Sequence, residues 1–446
     1  MIHEPNSEGE TMPPHLRQRA AAPLARLSTP GLPTPGLAAP LPMRALAALA
    51  LLLPCVAPLA QATAQAQASP LALSVDVTQV GKDRWRVDYR FARAVTAIEF
   101  DPVGDYRRQA WTLRTPGLRL TAGPQSDRIG AGGRRFAKAS VDITTFDGLA
   151  PKSYAPFNRF SDGGNAIFLG HLQGKAYRGK RAYPMAAAFH LHALPGETAL
   201  APPRQLTPDA QRGYAYFGNA QPLRSGPSQF LIDPATPAWM REVVREVGGK
   251  VSAYYEQAYR RALKDGVAVM LSVSGAQEKG LAMKGGAVMG QLSYRFDGQA
   301  GLADHPRYRE VLARLVAHEI AHLWQLNVAR GGVGDNDPWI HEGGAEAMAI
   351  DALLHTGLWS EESAAAYRAA QAASCDKLAD SVDSFDGIYA CGLARFDRLG
   401  VDIVPLWRAM IDAAEATGEV YSGAMIETIA GALRGLARQG ALNAAP

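Results

Sequence analysis

The chain has 446 residues, with 46 lysines and arginines against 42 aspartates and glutamates, for a formal net charge of +4. That length allows two or three domains with cores of their own. The charges are well mixed, and no basic stripe or basic-aromatic run is present, which argues against a nucleic-acid binder.

Residues 1–68 read as leader rather than fold. Residues 1–42 are rich in proline, alanine and arginine, the mark of an upstream extension. Met43-Arg44 and the apolar run Ala45 to Val56 then make the n- and h-regions of a signal peptide. Ala66-Gln67-Ala68 before Ser69 fits a small-x-small cleavage site, with Ala60-Gln61-Ala62 as a second option. The apolar run is short for a membrane span, so the mature chain is expected to be exported, periplasmic or secreted, without a transmembrane anchor. Pro54 before Cys55 is unlike a lipoprotein site. Cleavage leaves Cys375 and Cys391, and an isolated pair in an oxidising compartment is expected to form a disulfide.

Residues 69–231 are expected to form a β-rich, sandwich-like domain. Arg84-Trp85-Arg86-Val87-Asp88-Tyr89-Arg90-Phe91 alternates with period two, as a half-buried strand does. Ala139 to Phe146, Ala166 to Leu172 and Gly213 to Phe217 are further candidate strands. Thr236-Pro237 predicts a helix start, with a hydroxyl at the N-cap and proline at the first position, running to about Leu263. Val267 to Val273 and Ala287 to Phe296 read as strands. Pro306 to about Val328 and Pro338 to His355 read as helices, within a second unit over 232–360. From Glu361 the chain, 361–446, reads as helical.

The chemistry sits on those two helices. In His318-Glu319-Ile320-Ala321-His322 the histidines are four apart and share one helical face, so both imidazoles can meet one metal. Glu319 can reach a metal-bound water as general base. In Trp339-Ile340-His341-Glu342-Gly343-Gly344-Ala345 the second helix offers Glu342 as third ligand, which leaves a position for water. Two histidines and a carboxylate suit Zn2+, one per chain.

These halves resemble the gluzincin metallopeptidases, and most closely the aminopeptidase N family with its W-x-x-E-G-x-A segment, matched by Trp339, Glu342, Gly343 and Ala345. The resemblance covers roughly residues 265 to 400. It implies a thermolysin-like zincin catalytic domain over 232–360, with His318, His322 and Glu342 on zinc and Glu319 activating water. The spacing departs from the family. Nineteen residues lie between His322 and Glu342, where the pattern leaves about eighteen. A strict count falls on His341, the alternative ligand; the glycine-rich loop Gly331 to Asp337 can absorb the extra residue.

Gly285-Gly286-Ala287-Val288-Met289-Gly290 sits where the family carries its G-x-M-E-N strand, so Gly286 and Ala287 are candidate substrate-binding positions. The family glutamate that binds the substrate amine is missing: no carboxylate lies between Glu278 and Asp297. Tyr389-Ala390-Cys391-Gly392 resembles the Y-x-K-G element, which implies that Tyr389 donates to the oxyanion. Glu346, one turn after Glu342, is a candidate orienter of a zinc histidine. The expected function is an exported zinc metallopeptidase acting on a peptide or protein, with exo- versus endopeptidase action open. The alternatives are a zinc-stabilised envelope binding protein without catalysis, or a gluzincin hydrolase acting on a non-peptide bond.

Overall fold

The computed structural model describes residues 69–446 apart from 124, 147–153, 203–212, 226–227, 264–266, 275–281, 289–290, 300–301, 328–336 and 444–446. The expected leader, and all of the loop before Glu342 except Asp337, lie outside the described residues. The chain is a mixed α+β protein with a large sheet and a helical carboxyl-terminal region.

The alternating segment becomes β2 (Arg84–Val95), with Trp85, Val87, Tyr89 and Phe91 turned inward. It pairs with β1 (Leu71–Gly81) and β7 (Phe136–Thr144). Further strands are β3 (Ala97–Phe100), β4 (Trp111–Leu113), β5 (Arg119–Ala122), β6 (Asp127–Gly130), β10 (Lys175–Arg178) and β11 (Arg181–His192). Together they form a nine-stranded sheet of order β4-β7-β2-β1-β11-β10-β3-β6-β5. A four-stranded sheet combines β8 (Phe157–Arg159), β9 (Asn165–Phe168), β12 (Thr198–Leu200) and β13 (Tyr214–Gly218). The two sheets share one core, where Trp85 meets Phe157 and Phe217 at ring distances of 5.4 and 6.1 Å. The strand expected over Ala166 to Leu172 stops at Phe168, and Leu169–Leu172 tightens into a 3-10 turn.

That core also buries a charge the sequence did not announce. Arg107, on the short helix α1 (Tyr106–Ala110), is 1% exposed and lies 4.7 Å from the Phe100 ring centre. Its guanidinium donates to Asp127 and the Asp101 carbonyl, both at 2.7 Å, and to the His171 carbonyl at 2.8 Å. Each buried donor that finds an acceptor here avoids a desolvation penalty of about 1–3 kcal/mol or more.

The second core is built on a five-stranded sheet and the helices over it. The strands are β14 (Leu223–Ser225), β15 (Ser228–Ile232), β16 (Ala268–Ser274), β17 (Ala282–Val288) and β18 (Gln291–Asp297), in the order β14-β15-β16-β18-β17. Thus β14 and β15, at the end of the 69–231 span, join the second sheet rather than the amino-terminal ones, with β14 paired to β15 and β15 to β16. The helices are α2 (Ala238–Tyr259), α3 (Pro306–Asn327), α4 (Pro338–His355), α5 (Glu361–Lys377), α6 (Phe385–Arg398), α7 (Ile403–Thr417) and α8 (Gly423–Asn443). At the start of α2 the N-cap position falls on Pro237, not Thr236, and the buried Thr236 hydroxyl has no capping bond. No helix among the described residues is long and apolar enough to cross a membrane.

Three polar ties fix the amino-terminal strands against the second sheet. The Gln291 side chain accepts from the Tyr214 amide at 2.6 Å and donates to its carbonyl at 3.1 Å. Asn158 Nδ2 donates to Ser293 Oγ at 2.8 Å. Buried Asp233 accepts from the amides of Ser161 and Val273 at 2.8 and 3.2 Å. Gln291 and Ser293 belong to β18, the neighbour of edge strand β17, so these ties set the amino-terminal region beside that strand.

Burial, aided by the Arg107 charge, lowers His171 to about 3. The unfolded ring titrates near about 6.5, so between these values only the unfolded chain takes the proton. The contribution of the neutral ring is therefore complete above pH 6.5 and is lost as pH falls toward 3, at a rate on the order of 1 kcal/mol per pH unit. Urea melts across this window should show a flatter pH dependence for His171→Gln than for the unaltered protein; identical slopes would refute the assignment.

Candidate active site

Helix α3 runs through the second core and is buried on nearly all sides from Leu312 to Gln325. Its polar residues must therefore find partners inside the protein. His318 Nε2 and His322 Nε2 lie 3.0 Å apart, and Glu342 Oε2, on α4, lies 3.1 Å from the first and 3.3 Å from the second. Three tetrahedral donors at about 2.0–2.1 Å from a zinc ion would stand about 3.3 Å apart. The donor triangle fits that size, and its two imidazoles and one carboxylate fit that chemistry.

The outer nitrogen of His322 is held by an acceptor, and that of His318 lies at ion-pair distance from a carboxylate without an aligned hydrogen bond. His318 Nδ1 faces Glu346 Oε1 at 3.0 Å, and that carboxylate also takes Arg314 Nη1 at 2.6 Å and the Tyr367 hydroxyl at 2.9 Å. His322 Nδ1 faces Gln325 Oε1 at 2.7 Å. Gln325 Nε2 donates to the His341 carbonyl at 3.1 Å, which orients the amide and so the histidine tautomer. Burial opposes charge on Glu346, but Arg314 and His318 bring it down to about 2. Burial likewise opposes charge on His318, yet Glu346 and Glu342 raise it to about 10. The pocket favours positive charge at this point, as a cation site requires.

Glu319 is buried beside the triangle. Tyr389 lies on α6 and stacks on His318 at a ring distance of 5.6 Å. Burial, then the carboxylates of Glu342 and Glu319, push its phenol well above the usual tyrosine range, so it stays a hydrogen-bond donor. Tyr154, just before β8, joins it from the amino-terminal side. The residue is 39% exposed with its ring 4.8 Å from Phe168, and local desolvation of the hydroxyl with the Glu319 and Glu342 charges lifts its phenol to about 12.

The approach of α6 to α4 depends on two glycines. A Cβ on Gly343 would come within 2.3 Å of the Gly392 carbonyl carbon, and one on Gly392 within 2.9 Å of the Gly343 Cα. Backbone meets backbone there, and Tyr389, one turn before Gly392, is carried to the triangle. Cys375 on α5 and Cys391 on α6 are joined by the expected disulfide. That bond ties the helix bearing Tyr367 to the helix bearing Tyr389.

The structure therefore brings together His318, Glu319, His322, Glu342, Glu346 and Tyr389. His341, the alternative ligand, packs its ring 4.0 Å from that of His322, and the three-donor group is completed by Glu342. Gly286 and Ala287 lie in β17, the strand at the sheet's edge beside α3, paired with Ser293 and Leu292. Sequence reasoning missed Arg314, Gln325, Tyr367 and Tyr154. Gln325, one turn after His322, and Arg314, one turn before His318, carry a periodic signal; the two tyrosines come from distant segments and carry none.

No family model matches the chain, and no curated protein matches it. Among solved structures, it is similar to an aminopeptidase N family protein from Idiomarina loihiensis, with a TM-score of 0.54 and 11% identity, over 78% of this chain and 71% of that one. An M1 zinc metallopeptidase from Deinococcus radiodurans matches with a TM-score of 0.47 and 13% identity, over 81% of this chain and 89% of that one. The fold is thus similar to that of an aminopeptidase N family protein, and His318, His322 and Glu342 form a candidate metal site.

Two predictions follow from the packing around the triangle. Gly343→Ala should force α4 and α6 apart, because the clash is with backbone, and cost about 1–3 kcal/mol in a urea melt; an unchanged midpoint would contradict the contact. Glu346→Gln should weaken zinc about 10- to 100-fold in a chelator competition, whereas unaltered affinity would remove Glu346 from the orienting role.

Proposed function

We propose that this chain is an exported zinc-dependent metallopeptidase of the gluzincin type, related to the aminopeptidase N family. The observation that carries this reading is the convergence of three zinc-type donors with Glu319 and a desolvated tyrosine in a fold of that class. Zinc bound by His318, His322 and Glu342 would polarise the substrate carbonyl and acidify a water. Glu319 takes the proton from that water as it attacks the peptide carbonyl, and delivers it to the leaving amine. Tyr389 donates its hydroxyl proton in a hydrogen bond to the carbonyl oxygen as negative charge develops there. Edge strand β17, at Gly286 and Ala287, offers main-chain groups for an extended substrate backbone. With no glutamate on that strand to hold a free amine, the site is compatible with internal cleavage as well as trimming. The paired Cys375 and Cys391 agree with a periplasmic or secreted location.

The test is digestion of a mixed peptide library by the purified protein, read by mass spectrometry. Glu319→Gln should keep stoichiometric zinc and lose about 10²- to 10⁴-fold in rate, the usual range for a general base. Undiminished cleavage by that variant would sink the mechanism. Absence of cleavage by the zinc-loaded unaltered protein would move the reading to a non-peptide hydrolase or a binding protein.

A further inference from the structure

A second site lies at one end of the nine-stranded sheet, within the amino-terminal region. A cleft of ≈ 900 Å³ is lined by Arg119, Arg128 and Arg134, by Thr96 and Thr121, and by glycines of the surrounding turns. Its described lining includes no aspartate or glutamate. The pairing explains the clustering: Arg119 faces Gly130, which faces Ala97, which faces Tyr177, while Thr121 faces Arg128 and then Glu99. Arg119, Thr121 and Arg128 stand at alternate positions of paired strands and so share the exposed face of the sheet.

Their charges are poorly compensated. Arg119 has no hydrogen bond or ion pair among the described residues. Arg134 reaches only the carbonyls of Ala131 and Gly117, each at 3.5 Å. Arg128 lies over the Tyr177 ring at 4.8 Å and stands 3.8 Å from Glu99, whose carboxylate accepts from the Tyr177 hydroxyl at 2.9 Å. The turn joining β10 to β11 carries Arg178, Lys180 and Arg181 around Gly179; of these Gly179 lines the cleft, while Arg181 lies over the Tyr183 ring at 5.2 Å. Gly132, Gly133 and Gly179 adopt φ of +63°, +89° and +66°, and an added Cβ would meet nothing within 4 Å at any of them. The mouth is therefore bordered by bare backbone.

We propose that this cleft binds an anionic ligand carrying two or more phosphate groups, at a site separate from the zinc centre. A planar guanidinium offers paired donors that match a phosphate edge, and two guanidiniums without a carboxylate partner, Arg119 and Arg134, beside an Arg128 whose charge is shared with Glu99, call for more than one such group. The volume falls within the range of about 300–1,000 Å³ typical of small-ligand sites. A free polyphosphate and a phosphorylated lipid headgroup present the same chemistry.

Calorimetric titration of the purified protein with tripolyphosphate at low salt should show saturable 1:1 binding that weakens as sodium chloride rises. Arg119→Gln/Arg128→Gln should weaken it at least tenfold without changing the circular dichroism melt. Arg119→Gln alone, at an exposed residue with no partner to lose, gives a second reading should the double variant misfold. No saturable binding, or equal affinity in the variants, would overturn the proposal. Co-sedimentation with cardiolipin vesicles, whose headgroup carries two phosphates, competed by tripolyphosphate, would identify a lipid headgroup as the source. Tripolyphosphate binding without vesicle binding would identify a soluble ligand.

Discussion

Everything at the candidate centre leans on the carboxylate of Glu346. It is 1% exposed and is shared among the Arg314 guanidinium, the His318 imidazole and the Tyr367 hydroxyl, which come from α3 and α5. A buried carboxylate with so many partners is stabilised in its charged form, and removing the Arg314 guanidinium would leave that charge buried and uncompensated. The network therefore fixes the mutual rotation of three helices. It also sets the ring of His318, since only one orientation aims Nδ1 at Glu346 while Nε2 faces His322 and Glu342. On the far side, Gln325 does the same for His322, with its amide locked by the His341 carbonyl.

The glycines act at the next level. Polar bonds tolerate some slack, but two helices whose backbones touch do not. The Gly343–Gly392 contact brings α6 close enough for Tyr389 to stack on His318, and the Cys375–Cys391 bond holds α5 to the same helix two residues from that tyrosine. Gly344 serves the opposite flank, where a Cβ would strike the Trp407 ring at 2.5 Å. The paired glycines of the Glu342 segment thus have a packing reason, one for each neighbouring helix.

The pairing of His318 with His322 and of Glu342 with Glu346 was legible because α-helical periodicity is local, whereas spacing alone pointed to His341 and the choice of Glu342 came from the family resemblance; α4 begins and ends where its proline and histidine placed it. The alternation of β2 was legible for the same reason. Legibility failed where structure depends on distant partners. Nothing near Tyr154 or Tyr367 indicates that they approach Glu319 or Glu346, and nothing near Arg107 indicates that it is buried against Asp127. The placement of β14 and β15 in the second sheet is likewise a pairing decision, invisible in segments whose own patterns are short.

Helix geometry favours Glu342 over His341 in the donor triangle, whatever the count along the chain. On α4, Glu342 and Glu346 are four apart, as His318 and His322 are on α3, so each helix presents a pair on one face. With Glu342 in the triangle, Glu346 falls opposite the outer nitrogen of His318, and both carboxylates are used. With His341 as ligand, the helix would turn by about 100°, which would carry Glu346 away from Arg314 and His318 and swing Gly343 off Gly392. The extra residue before α4 shifts the count along the chain, but the face that α4 presents is set by Glu346 and the glycines. That face puts Glu342, not His341, in the donor triangle.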